Sequence, residues 1–206
     1  MPPTFNWLEA SPAGPDENLR LDEELLQEGN GVLRVWESAG ECVVLGQSGR
    51  AERDIRLNEC RSAGVPVLRR CSGGGAVLLG PGCLNYALVM PVSWHRECRD
   101  VRYSMAWIMS RMRRALAVPE VRCEGQSDLA LNGRKVSGNA QRRTQSAILH
   151  HGTLLYAFDG TRPEIYLRRP VREPSYRGGR THREFLGNLP LSSREIQHRL
   201  REAWCG

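Results

Sequence analysis

In this chain of 206 residues, no stretch limits the fold more tightly than DLALNGRKVS, residues 128–137. Its centre, Asn132-Gly133, is the dipeptide that a type I′ turn selects, because both central residues of that turn need positive φ. A two-residue loop predicts the register of the arms: Leu131 opposite Arg134, Ala130 opposite Lys135, Leu129 opposite Val136, Asp128 opposite Ser137. Side chains alternate across a strand. Leu129, Leu131 and Val136 therefore turn toward a core, and Asp128, Ala130, Lys135 and Ser137 share the other face. Asp128 and Lys135 become diagonal neighbours about 7–8 Å apart at the backbone, within reach of a long side chain. Such a pair is either an ordinary cross-strand ion pair worth under about 1 kcal/mol, or a carboxylate that orients a working ammonium.

Charge composition sharpens the choice. Lysine and arginine together number 29, yet Lys135 is the single lysine. Coding bias explains an arginine-rich chain and leaves one lysine by chance. Equally, a lysine that persists under such bias marks a place where a wide planar fork will not serve and a compact cation will.

The remaining pattern predicts an α+β chain. Residues 16–28 carry Leu19, Leu21, Leu25 and Leu26 at helical spacing, with Asp16 as N-cap and Gly29-Asn30-Gly31 as the stop. VLRVWES and ECVVLGQ follow as two strands joined by a glycine-containing turn. A short helix over 53–63, a strand over 66–70 and a strand over 84–90 come next. Val101, Met105, Ile108, Met112 and Leu116 predict a helix over 100–117 whose Met and Trp residues are core packing. Strand-like stretches span 127–137 and 147–158, and one further helix spans 193–204. Strands and helices mix without a regular βαβ beat, which argues against a doubly wound parallel sheet.

Arg69-Arg70-Cys71-Ser72-Gly73-Gly74-Gly75-Ala76-Val77 follows a predicted strand. Three glycines let a ligand approach the backbone and let N–H groups face an anion, with two arginines beside them as charged donors. The same run is also what a flexible turn looks like. No Gly-Lys-Ser/Thr follows, and Leu78 stands where a dinucleotide fingerprint needs its last glycine, so neither phosphate motif is met.

Taken in order, RRCSGGGAV, GCLNYAL, SDLALNGRKVSGNAQRR and HHGTLLY resemble the lipoate–protein ligase family, and NLRLDEELL with VVLGQSG is similar to its N-terminal helix and strand. The resemblance covers about residues 16–160. It implies the biotin/lipoate ligase, class II synthetase-like fold: a mixed, mostly antiparallel sheet flanked by helices, here as one catalytic domain over 1–206 with an Arg/Pro/Gly-rich segment from 161. It implies activation of lipoate or octanoate by ATP, with Mg²⁺ accompanying the nucleotide, and transfer to a lysine of an acidic lipoyl-carrier protein. By the same resemblance Lys135 contacts the acyl-AMP and Asp128 holds it. Arg69, Arg70, Ser72, Gly73, Gly74, Gly75, Ala76 and Val77 wrap the acyl-adenylate, with Arg70 ahead of Arg69 as a ligand contact. Asn85, Ser137, Gly138, Asn139 and Ala140 lie beside the nucleotide, and His151, Gly152 and Thr153 shape the pocket, with His150 either structural or direct. Val44, Val77 and Leu78 are expected to line an acyl tunnel, and no protein-ligated metal is expected.

Two departures stand out. Leu78-Leu79-Gly80 replaces the histidine that many members place after the glycines, and the chain is too short for the accessory C-terminal domain of larger ligases. That implies a substitute in the tail, a separate accessory subunit, or a protein that works chiefly in transfer. The rival within the fold is a cysteine-dependent octanoyltransferase using Cys123 without ATP, although its neighbour Glu124 would not lower a thiol pKa. A remoter alternative is nucleic-acid binding by residues 162–201, where ten arginines interleave with Tyr166 and Tyr176. The same stripe suits docking of an acidic carrier. Seven cysteines without a C-x-x-C pair predict reduced core thiols. Without a leader pattern or an apolar run of about 18 residues, a cytoplasmic protein with no membrane partner is expected.

Overall fold

A computed structural model describes residues 4–10 and 14–206; residues 1–3, part of the stretch searched for a leader, lie outside it. The elements in chain order are β1 (Asn6–Leu8), α1 (Pro15–Glu28), β2 (Val32–Glu37), β3 (Cys42–Leu45), α2 (Ala51–Asp54), α3 (Leu57–Ser62), β4 (Val67–Arg69), β5 (Ala76–Leu79) and β6 (Cys83–Pro91). After them come α4 (Val101–Leu116), β7 (Val121–Glu124), β8 (Asp128–Leu131), β9 (Arg134–Arg143), β10 (Ala147–Leu155), α5 (Pro163–Tyr166), α6 (His182–Phe185) and α7 (Ser193–Cys205).

Among the described residues, seven strands form one sheet in the order β1-β2-β6-β10-β9-β8-β7, antiparallel throughout except for β1 beside β2. Three form a second sheet, β4-β3-β5, with β3–β4 parallel and β3–β5 antiparallel. The architecture is the expected α+β, mixed and mostly antiparallel. The two predicted strands around Gly40 are present but do not pair: β2 joins the large sheet and β3 the small one.

Strand β6 is buried on both faces, so CLNYALVMP has no polar alternation. Leu84, Tyr86, Leu88 and Met90 face the core built with α4 and α7. Ala87 and Val89 face the opposite core with Leu25 and Leu26 of α1. Cys42, Val43, Val44 and Leu45 of the small sheet join a third cluster with Trp36, Tyr166 and Phe158.

Helix α1 starts with Pro15 in its first turn and Gly14 as N-cap, rather than at Asp16. Proline's fixed φ and missing N–H suit the first helical position, and the Glu17 carboxylate accepts the Gly14 N–H at 3.1 Å. Gly29 closes the helix with φ 69°. The helix predicted over 53–63 is two short ones, because Ile55 is extended and buried, pairing with Leu167. Helix α4 is capped by Asp100, whose Oδ1 accepts from the amides of Arg102 and Tyr103 at 2.8 and 3.0 Å.

The arginine-rich tail is part of the fold. Ile196, Leu200 and Trp204 of α7 are buried against α4, each contributing about 1.5–3 kcal/mol by leaving water. Arg162 makes a two-pronged bond to Glu41, both contacts at 2.6 Å, and Tyr166, Leu167 and Phe185 are buried. Among the described residues, no helix is long and apolar enough to cross a membrane.

Candidate active site

The β8–β9 hairpin has its type I′ turn, with φ 50° at Asn132 and 73° at Gly133. Leu131 pairs with Arg134 and Ala130 with Lys135, as predicted. Beyond them the register departs: Leu129 pairs with Ser137, and Asp128 with Gly138. Val136 is an extra residue, a β-bulge that bends the strand and turns over every later side chain. The predicted pairing of Asp128 with Ser137 is thereby corrected. Ser137 shares a face with Leu129 and Leu154, on the core side, while Gly138 comes opposite Asp128 on the other side.

The bulge brings the two charges together. Lys135 Nζ lies 2.8 Å from Asp128 Oδ1, with the lysine side chain 25% exposed and the aspartate nearly buried. The ammonium therefore remains accessible while its partner is fixed. Gly138 provides the room: a Cβ there would stand 2.7 Å from Lys135 Cε and 2.8 Å from Nζ. Asp128 Oδ2 accepts a hydrogen bond at 2.8 Å from the hydroxyl of Tyr176, in a tail segment whose aromatics sequence patterning placed only in a basic stripe. The tail also follows β9: Gly187 donates to the Lys135 carbonyl at 2.9 Å, and Arg134 bonds the carbonyls of Leu186 and Arg183 at 2.8 and 2.7 Å.

The glycine loop stands over the same sheet face. The Gln47 amide donates to the Ser72 carbonyl at 2.9 Å, and Arg142 of β9 donates to Gln47 Oε1 at 3.0 Å. Arg70, the expected ligand contact, commits its guanidinium to the loop and to β3. Nε reaches Ser72 Oγ at 3.1 Å, Nη1 the Val44 carbonyl at 3.3 Å, and Nη2 the carbonyls of Gly73 and Gly75 at 2.7 and 3.1 Å. In a trans peptide the N–H points opposite its carbonyl, so drawing the Gly73 carbonyl to Arg70 turns the Gly74 amide away from it. Burial lowers the Arg70 guanidinium to about 10, and its bonded partners are carbonyls and a hydroxyl. The loop therefore keeps a positive field. Arg69 grips the neighbouring turn through the carbonyls of Gly46, Gln47 and Gly49, at 2.9, 2.8 and 3.2 Å.

Beneath the loop, Ser72 Oγ and His151 Nε2 are 2.5 Å apart. His151 Nδ1 lies 3.6 Å from Asp22 Oδ2, and Asp22 Oδ1 accepts from the buried Arg34 at 2.7 Å. A polar chain thus runs from α1 through the sheet to the loop. Along β10, His151 and Thr153 point to this face, with Ala140 and Gly138 as their cross-strand partners. Asn85, opposite Thr153, is buried and donates to the Trp36 carbonyl at 3.3 Å. Gly152 turns the other way, and a Cβ there would strike Asn139 Oδ1.

Not all the expected site residues share this face. Asn139 faces the α4 core, where its carboxamide accepts from Tyr86 and donates to the Ser127 carbonyl at 2.8 Å and to Ser137 Oγ at 3.1 Å. His150 is fully buried there, between Tyr86 Oη at 3.0 Å and Gln141 Nε2 at 3.1 Å. Burial drives its pKa down to about 3, which keeps the ring neutral. Of the expected tunnel residues, Val44 and Val77 are cross-strand partners on one face, while Leu78 pairs with Val43 on the other. Cys123 pairs with Leu129, which puts it on the core face, away from Lys135. Cys123 is nevertheless exposed on this edge strand, and partial desolvation, opposed by the charge of Arg113, raises its thiol above the ordinary value. Cys42, Cys60, Cys83 and Cys98 are buried. Among the described residues, no group of three or more His, Cys, Asp or Glu could hold a metal ion.

Lys135 and the glycine loop thus belong to one face of the large sheet. Residues 14–197 match the lipoyl protein ligase A/B catalytic domain. A relative in Aeropyrum pernix named "Putative lipoate-protein ligase A" is 31% identical over 202 residues, 96% of this chain and 73% of that one. The octanoyltransferase LipM of an Exiguobacterium species is 27% identical over 76% of this chain and 67% of its own length. Of the lipoate-protein ligase LplJ of Bacillus subtilis, 31% identical, the match spans only 34%. Among solved structures, a chain from a structure described as a bi-partite lipoate protein ligase and its E2 lipoyl domain from Thermoplasma acidophilum superposes with TM-score 0.83 at 20% identity, over 97% of this chain and 82% of that chain. A lipoate-protein ligase A bound with ATP superposes with TM-score 0.77 at 19% identity, over 98% and 84%. With the fold shared and the family model matched along most of its length, the chain belongs to the lipoyl protein ligase A/B catalytic-domain family.

Proposed function

We propose that this chain activates lipoate or octanoate with ATP and transfers the acyl group to a lysine of an acidic lipoyl-carrier domain. The observation that carries this reading is the Lys135–Asp128 pair, placed by the bulge on the sheet face that the glycine loop overhangs. In the first step the acyl carboxylate attacks the α-phosphate of ATP and pyrophosphate leaves. In the second, the acceptor amine attacks the acyl carbonyl, loses a proton, and AMP leaves. Both steps gather negative charge on phosphate and carbonyl oxygens. Lys135 supplies a fixed cation for that charge, and preorganised donors of this kind dominate many rate enhancements. The outward Gly74 amide and the field of Arg70 serve the same anion from the loop. Mg²⁺ belongs with the ATP phosphates in this reading.

The relatives' names speak of lipoate in the ligases and of an octanoyl group in the transferase. The superposed ligases include one bound with ATP and one described together with its E2 lipoyl domain, whereas the octanoyltransferase relative favours acyl transfer without ATP. The placement of Cys123 on the face away from Lys135, with a raised thiol pKa, speaks for the ATP route. An accessory subunit, as in a bi-partite ligase, and a cytoplasmic setting accord with the same proposal.

The test is intact-mass spectrometry of an apo-lipoyl domain incubated with this chain and lipoate, with and without ATP. Acylation only with ATP is expected. Acylation from a carrier-bound octanoyl donor without ATP, lost in Cys123→Ser, would establish the rival.

A further inference from the structure

Lys135 is held by Asp128, and the second oxygen of that aspartate is engaged by a residue from a distant part of the chain. Tyr176 sits in the turn Ser175–Arg177, and its hydroxyl donates to Asp128 Oδ2 at 2.8 Å while Oδ1 holds the ammonium at 2.8 Å. We propose that Tyr176 is a positioning residue for Lys135, acting through Asp128. The proposal rests on the function assigned above to Lys135.

The physical reason lies in the carboxylate's symmetry. An aspartate with two free oxygens can rotate, or draw a lysine ammonium against both. With Oδ2 engaged by a phenol, rotation about the carboxyl bond breaks a charge-assisted hydrogen bond, so Oδ1 stays where the bulge places it. The phenol also draws off part of the carboxylate's charge, which leaves the ammonium freer to turn to a phosphate or carbonyl oxygen. Burial first, and then the charge of Asp128, hold the Tyr176 hydroxyl protonated, so it remains a donor.

The turn that carries Tyr176 is itself fixed. Its ring packs on Phe185 with centroids 5.1 Å apart, and Arg180 donates to the Tyr176 carbonyl at 2.6 Å. Gly125, with φ 57°, brings the β7–β8 turn beneath Pro174 and Tyr176. The phenol is therefore delivered by a built support rather than by a free tail.

Because Lys135 is the single lysine, protein labelled with ¹⁵N-lysine gives one side-chain Nζ resonance, a direct probe that needs no substrate. In Tyr176→Phe, which keeps the ring on Phe185, that resonance is expected to shift and broaden as the ammonium exchanges faster. The thermal midpoint should stay within about 2 °C, and kcat for lipoate-dependent ATP–pyrophosphate exchange should fall about tenfold, with KM for lipoate within about twofold. An unchanged resonance would overturn the proposal, as would a moved resonance with wild-type kcat. If wild-type protein shows no exchange and no ATP-dependent acylation, the assigned function fails, and the resonance alone decides whether Tyr176 positions Lys135.

Discussion

The aliphatic end of Lys135 lies across the face of Gly138: a Cβ on that glycine would stand 2.7 Å from Lys135 Cε and 2.8 Å from Nζ. Gly138→Ala therefore evicts the ammonium from its seat beside Asp128. The displaced group is the far end of a flexible chain, so the fold should lose at most about 1 kcal/mol. Acyl activation should fall about 10–100-fold. Denaturant melts and pyrophosphate-exchange kinetics on the same variant check both halves.

The three loop glycines should differ sharply. Gly74 has φ 100°, and a Cβ there would meet Arg70 Nη2 at 2.7 Å, whereas Gly73 and Gly75 have open space at that position. Gly74→Ala should cost about 1–3 kcal/mol through backbone strain, and should release the Arg70 brace. Gly73→Ala should be nearly neutral for stability. Chemical denaturation of the pair reads the difference.

Acid should destabilise the protein through His150. Its folded pKa is about 3 against an ordinary 6.5, so between those values the unfolded chain binds a proton that the folded chain refuses. Stability is then complete above pH 6.5 and declines as pH falls toward 3, by up to about 1.4 kcal/mol per unit from this residue. His182, lowered to about 4 chiefly by burial, adds in the same direction. His150→Gln, which cannot take up the proton, should flatten the slope of unfolding free energy against pH in that window.

Much of this was legible from residue pattern alone. Asn132-Gly133 fixed the hairpin because turn chemistry is local, and the periodicity of Val101 to Leu116 fixed α4 because one helix face had to be apolar. The bulge was not legible, since Val136 satisfies the core whichever residue follows it, and one inserted residue reverses the faces of Ser137 and Gly138. Strands β2 and β3 looked alike because both are buried, and nothing local says that they enter different sheets. The tail misled for a different reason. Arg162, Arg177 and Arg180 look like a solvated stripe, yet they bond or stack inward on Glu41, Phe185 and loop carbonyls. Tyr176 carried no signal, because its partner Asp128 lies 48 residues earlier in the chain.

Cys123→Ser should leave ATP-dependent acylation within about twofold of wild type, as its side chain lies on the face away from Lys135. The raised thiol should also alkylate slowly with iodoacetamide near neutral pH. Rapid labelling, or loss of acyl transfer in the serine variant, would reinstate the thioester route.

The decisive measurement is the rate at which Lys135→Arg acylates an apo-lipoyl domain in the presence of lipoate and ATP. Arginine keeps the charge but brings a planar fork to a seat cut by Gly138 for a slender ammonium. A fall of about 100-fold with the fold intact is the predicted result. Wild-type turnover in that variant would contradict the role assigned to this cation.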